Sequence, residues 1–190
     1  MKIIIKKRGM TLVELVIGIS LISILMIAFS SIYITSINNY QQELTQTKLQ
    51  SDGQIILDEI LNDITIASSV DASYNAYSTS SQSVILNVPA LASNQNFIYS
   101  GNNLVFDRII YYQDGVNLHK LVYANSSSSR YPQNNINKIL TSKITGLNFV
   151  YNPDQNMPTD IKTTFTLVKT VGHYHGKVTM AGKSRLRNNL

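Results

Sequence analysis

The chain has 190 residues, a formal net charge of +5 and 44% hydrophobic residues, but only 14% charged residues, where about 25% is usual in a soluble domain. That length suits one globular domain plus an extension, and the absence of cysteine excludes a disulfide framework, a thiolate metal site and a cysteine nucleophile. The cations are unevenly spread: Lys2, Lys6, Lys7 and Arg8 precede an apolar run, while Lys169, Lys177, Lys183, Arg185 and Arg187 lie near the other end, so the charge alone does not announce a nucleic-acid binder.

Residues 15–34 read LVIGISLISILMIAFSSIYI, with neither charge nor proline. At about 1.5 Å rise per residue, such a helix spans the roughly 30 Å of a bilayer core. The basic flank before it is expected to stay cytoplasmic and the rest of the chain to lie outside. An ordinary signal peptide would use the small residues around Ala28-Phe29-Ser30 and leave a mature chain starting at Ser31. A plain membrane anchor would explain the length and the flanking charge. Neither reading gives a purpose to Gly9 or to Glu14, the one acid at the head of the run. A carboxylate in hydrocarbon is expensive and ordinarily has a partner.

Residues 8–15, R-G-M-T-L-V-E-L, resemble the cleavage site of type IV prepilins and of the pseudopilins of type II secretion. In that family a short basic leader ends in glycine, a membrane aspartic peptidase cuts after it on the cytoplasmic side, and the new amine is methylated. The resemblance implies a leader over residues 1–9, cleavage between Gly9 and Met10, methylation of Met10, and a functional glutamate at Glu14. The usual first mature residue is phenylalanine, so Met10 is a departure. A glycine at the cut lets the backbone approach a protease closely. Cleavage removes the four leader cations and creates one α-ammonium on Met10. The resemblance further implies that Glu14 pairs with the Met10 amine of an axially staggered neighbour in a fibre.

Residues 38–69 read as a continuation of the helix. Ile56, Ile60, Ile64 and Ala67 recur at helical spacing with Leu57 and Leu61 beside them, a stripe expected to pack on a sheet. Asp52, Glu59, Asn62 and Asp63 are expected largely on the opposite, solvated face, and Gly53 marks a weak point or bend. Residues 71–82 read as a polar loop. Strands are then expected over 84–88, 97–99, 104–106, 108–113 and 118–123, with turns at Ser-Gly-Asn-Asn (100–103) and Asp-Gly-Val-Asn (114–117). Leu147, Phe149 and Tyr151 alternate, as do Ile161, Thr163, Phe165 and Leu167, around a loop at 152–160. Residues 124–137, ANSSSSRYPQNNIN, read as a mobile surface loop.

The candidates for other chemistry are few. His173 and His175 share one side of a strand, with His119 far off in sequence; surface histidines are the simpler reading. Asp154, Asn156 and Asp160 place oxygen ligands in one loop where calcium is conceivable, but the spacing is not that of an EF-hand and an Asx-rich turn is the default. Asp52, Asp58 and Asp63 read as a solvated helix face rather than a metal site. Gly101, Gly115 and Gly146 are isolated turn glycines, not a phosphate loop, and no serine sits in a G-x-S-x-G elbow, so no enzyme and no cofactor is expected. The C-terminal cations admit DNA as a partner, but a sheet edge guarded by lysine and arginine is the preferred reading.

The expectation is an α+β chain: leader 1–9, transmembrane and assembly helix 10–37, amphipathic half 38–69, and a globular β-rich domain 70–190 packed on that helix as an antiparallel sheet. The layout is also similar to W-type minor pilins and J-type pseudopilins, including the ending Ser184-Arg185-Leu186-Arg187-Asn188. The resemblance implies a structural subunit of a type IV pilus or a secretion pseudopilus, serving adhesion, motility, DNA uptake or secretion. Its partners would be the prepilin peptidase, other pilin subunits, an inner-membrane assembly platform and membrane lipid. It would start as a single-pass protein of the cytoplasmic membrane. The alternative is an anchored or secreted β-rich binding domain with a conventional signal sequence.

Overall fold

The computed structural model describes residues 10–155, 157–172 and 174–187. One helix, α1 (Leu12–Ile66), opens the described chain. The chain divides into two units, Met1–Leu44 and Thr45–Leu190. In the first, every described residue is exposed except the half-buried Gly18. A helix apolar on all sides has no intramolecular face to bury and belongs in a nonaqueous or protein-packed setting.

The second unit begins where burial begins. From Thr45 onward the helix buries Leu49, Gly53, Ile56, Leu57, Ile60 and Ile64, the stripe expected from i, i+3, i+4 spacing. It ends at Ile66, short of the expected Ser69. Ala67 N–H turns back to the Ile64 carbonyl, and Ser68 N–H already bonds Asn87 O at 2.8 Å. Sheet pairing captures the backbone there, and β1 (Ser69–Val70) follows.

Among the described residues the strands form two main antiparallel sheets rather than one, beside two short two-stranded hairpins. The larger takes the order β1, β4 (Ser83–Pro89), β7 (Phe106–Asp114), β8 (Asn117–Tyr123) and β9 (Asn137–Thr141). The smaller takes β10 (Ile144–Asn152), β11 (Asp160–Val171) and β12 (Tyr174–Arg185) in sequence order. The hairpin turn between β7 and β8 falls where expected, with Gly115 at φ +57. The sheets separate at β10. A register irregularity lies between Thr145 and Asn148, and Gly146 sits at φ +65. In place of a ladder to β4, single bonds hold β10: Phe149 N–H to Ser81 O, Leu147 N–H to the Gln113 side chain, and the Tyr151 hydroxyl to Ser80 and Ser83 carbonyls.

The main core joins the helix stripe to Val84, Leu86, Ile109, Leu118, Leu147, Phe149, Ile161, Phe165, Leu167 and Val178. The close approach of helix to β12 runs through glycines. A Cβ on Gly53 would stand 2.7 Å from Met180 Cε, one on Gly176 2.9 Å from Leu49 Cδ1, and one on Gly182 2.6 Å from Leu61 Cδ1. Gly53 therefore has a packing reason, the room it gives Met180.

The expected polar loop at 71–82 contains a small hairpin, β2 (Ser73–Tyr74) and β3 (Tyr77–Ser78), turning at Asn75 with φ 52. Its two tyrosines are the reason. Tyr74 meets Tyr123 edge-on at 5.1 Å and Tyr77 meets Tyr112 at 5.0 Å, closing a second small core of Ile85, Ile110 and Leu121. A second minor hairpin, β5 (Tyr99–Ser100) with β6 (Asn103–Leu104), turns at Gly101.

Candidate assembly helix

The N-terminus of α1 is built by a capping box. Thr11 N–H donates to Glu14 Oε2 at 2.9 Å and the Thr11 hydroxyl to the same oxygen at 3.0 Å, while Glu14 N–H donates to Thr11 Oγ1 at 3.3 Å. Reciprocal bonds of this kind satisfy amides that the first turn leaves without carbonyl partners. A carboxylate in the first turn also complements the positive end of the helix dipole. Met10 precedes the box and is 69% exposed. Gly9 and the leader cations lie outside the described residues. The structure sets Met10 two residues before the helix and adds Thr11, which sequence reading passed over although T-x-x-E before an apolar run is its signature.

Further along, four hydroxyls of the helix bond its own backbone. The hydroxyls of Ser20, Ser23 and Ser30 donate to the carbonyls four residues back at 2.8 Å, and that of Thr35 to Ser31 O at 2.9 Å. Where water is absent, such back-bonding removes the penalty of an unpaired hydroxyl. The helix is long and apolar enough to cross a bilayer. Leu12, Leu21, Phe29, Ile32 and Tyr33 are all more than half exposed.

In the second unit, a charged joint fastens helix to sheet. Lys120 Nζ on β8 lies 2.7 Å from Asp63 Oδ2 and 2.8 Å from Glu59 Oε1. The fully buried Tyr111 donates its hydroxyl to Asp63 at 2.6 Å, and Lys138 stands 3.5 Å from Glu59. The expected solvated face for Asp63 and Glu59 is therefore corrected: both turn to the sheet because two lysines and a tyrosine wait there. Burial alone would raise the Glu59 carboxyl, but its bond to Lys120 and the charge of Lys138 bring it below the ordinary 4.5. Burial would lower the Lys120 ammonium, but Asp63 and Glu59 outweigh that and hold it above the ordinary 10.5. Burial, then the Asp63 charge, pushes the Tyr111 hydroxyl far up. Of the other helix acids, Asp58 accepts from Gln54 and Asp52 lies 4.0 Å from Lys143.

The segment 124–137 lies mostly at the surface, as expected, but it is anchored to the core. Asp107, fully buried, accepts from the Ser128 hydroxyl at 2.6 Å, from Asn125 N–H at 2.9 Å and from Arg130 Nη1 at 3.0 Å. A 3₁₀ turn, Tyr131–Gln133, follows. A buried carboxylate must be paired, and this loop supplies the partners.

The remaining candidates do not converge. His119 stacks on Tyr112 at 4.8 Å and meets Asn137 through Nδ1, in the larger sheet. His175 bonds Thr170 in the smaller sheet, and His173 lies outside the described residues. Asp160 is held by Asn152 at 3.1 Å and Lys183 at 3.1 Å. Asp154 accepts from Met157 N–H, and Asn156 lies outside the described residues. Gly101 and Gly115 sit at hairpin turns and Gly146 at the β10 irregularity.

A long N-terminal helix packed on antiparallel sheets defines a pilin-like α+β fold. The chain matches the prokaryotic N-terminal methylation motif over residues 5–30, which takes in Gly9, Met10, Thr11 and Glu14. No curated protein and no solved structure matches the chain. The motif places the chain in the context of prepilin processing and of a membrane or pilus.

Proposed function

We propose that this chain is a minor prepilin or pseudopilin, cut between Gly9 and Met10 and methylated on Met10. Residues 10–37 then act as transmembrane and assembly helix, 38–69 as the amphipathic half, and 70–190 as the globular domain. The precursor crosses the cytoplasmic membrane once, with its leader inside and the domain outside. It later joins other subunits in a pilus or pseudopilus through an assembly platform. The observation that carries this reading is the methylation motif set directly on a helix that is exposed and apolar on every side.

The geometry supports a role for Glu14. Its contacts with Thr11 fall on Oε2, and among the described residues Oε1 has no donor. The carboxylate is thus held in the first turn with one oxygen available to a cation. Cleavage supplies that cation at Met10, and a staggered neighbour brings its own Met10 amine to this acid. Globular size and numerous hairpins favour a tip or priming subunit, on the W-type or J-type plan, over a shaft subunit.

Mass spectrometry of the mature N-terminus tests the processing. A start at Met10 with one added methyl is expected, and a start at Ser31 sinks the reading. Glu14→Val is expected to leave cleavage intact and to cut incorporation into sheared fibres about tenfold or more, the factor that ~1.4 kcal/mol of lost pairing produces. Normal incorporation of that variant would refute the pairing.

A further inference from the structure

Residues 160–187 contain six cations and one acid, so this segment carries the whole formal charge of +5; the rest of the chain has ten of each. Removal of the leader takes away four more cations and leaves residues 10–159 at −4, with six cations against ten acids. The mature chain is therefore strongly polarised along its sequence, and the fold decides where the positive end is shown.

Side chains alternate across a strand. In β11 and β12 the inward positions are Ile161, Phe165, Leu167 and Val178, all buried. The outward positions hold Lys162, Lys177, Lys183 and Arg185, all exposed. Lys162 and Lys183 stand directly opposite one another in the β11–β12 register. Like charges so placed repel and weaken a sheet pair. One acid, Asp160, relieves Lys183 at 3.1 Å and stands in register opposite Arg185, whose charge it also feels; among the described residues no carboxylate pairs with Lys162 or Lys177. Between the cations the face is low and hydroxylated, with Thr166 and Thr179 bonded to each other at 2.9 Å. The result is an exposed basic face on which Lys162 and Lys177 have no carboxylate partner among the described residues.

We propose that this outer face of the β10–β11–β12 sheet docks on an anionic bilayer surface. The inference rests on the membrane-anchored reading above. An anchored chain keeps its domain at high effective concentration near headgroups, whereas a dissolved polyanion must be met by diffusion. Lysine and arginine near an anionic leaflet are attracted within a Debye length, and a shared exposed face lets four of them act together. The contact holds the domain on the membrane before assembly and gives way when a subunit leaves the lipid.

The absence of native cysteine allows a clean test. A single fluorophore on Thr179→Cys, in full-length protein reconstituted at one chain per nanodisc, reports proximity to headgroup-quencher lipid. A label on Asn102→Cys, at the β5–β6 turn, serves as control. Quenching at position 179 is expected in discs containing phosphatidylglycerol and not in phosphatidylcholine discs, and half-molar salt is expected to reverse it. Lys162→Gln and Lys177→Gln are each expected to weaken it about fivefold. Equal quenching in neutral and anionic discs, or indifference to salt and to both substitutions, overturns the proposal. A response to a duplex oligonucleotide or to a second chain per disc, without one to anionic lipid, also overturns it in favour of that partner. Failure of the chain to enter any disc overturns the membrane-anchored reading as well, whereas insertion without quenching overturns this proposal alone.

Discussion

Up to Leu44 the helix buries nothing; from Thr45 it buries a residue in nearly every turn. The two regions differ in pattern more than in the kind of apolar residue used. Residues 12–34 are apolar on all sides, so no rotation of the helix could hide them within one chain. Residues 45–66 keep their apolar groups on one stripe, and the chain's own sheets cover it. The polar groups follow the same division. In the first region hydroxyls answer to their own helix backbone, and in the second carboxylates answer to lysines of the sheet. A region that satisfies itself can change surroundings, and a region satisfied by a fixed partner cannot.

The sharpest way to break this contrast is Lys120→Ala. It strands Asp63 and Glu59 against Tyr111, and removing one partner of a buried pair costs about 3–5 kcal/mol. A large fall in the denaturation midpoint of the second unit is expected, while Leu21→Ala in the exposed region shifts it by no more than about 0.5 kcal/mol. Comparable shifts from the two variants would show that the regions are not independent in stability.

Gly182→Val should come next. The added side chain meets Leu61 and Leu57 where even a Cβ is too close, and overpacking of this kind costs about 1–3 kcal/mol. Chemical denaturation measures it, and an unchanged midpoint would mean that the helix does not rest tightly on β12.

Acid gives the smallest effect and sharpens the comparison from the side of charge. Glu59 titrates below its ordinary 4.5 in the folded chain. Its contribution is therefore present above the unfolded value and is lost as pH falls through the folded one. Lys120 has the opposite sign: its contribution holds below 10.5 and is lost as pH rises through the higher folded value. A stability plateau bounded by these limits is expected. Glu59→Gln should flatten its acid shoulder, and an unaltered acid limb would remove Glu59 from the joint.

What could be read in the sequence was what sequence spacing itself encodes. The motif at 8–15, the stripe Ile56-Ile60-Ile64 and the hairpin at Asp114–Asn117 all depend on neighbours a few positions apart. The partners of Asp63 and Asp107 do not. Lys120 is 57 positions from Asp63, and Ser128 is 21 from Asp107, so a carboxylate on a helix and a serine-rich stretch each read as solvated. The division into two sheets depends on which strands pair across long stretches of chain, which strand periodicity does not register. The Thr11 cap was legible in T-x-x-E, yet motif reading left it out.

The back-bonded serines of the exposed helix have a consequence for transfer between environments. Ser20, Ser23 and Ser30 keep their hydrogen bonds whether the medium around them is lipid tails or the flank of another helix. Exchange of one for the other then alters dispersion contacts and shape fit but not the number of hydrogen bonds. Such a helix carries its own solvent for its polar atoms. On the proposed reading, extraction from a bilayer into a packed fibre becomes a trade of like for like along most of its length, with Glu14 as the site where the trade has a direction.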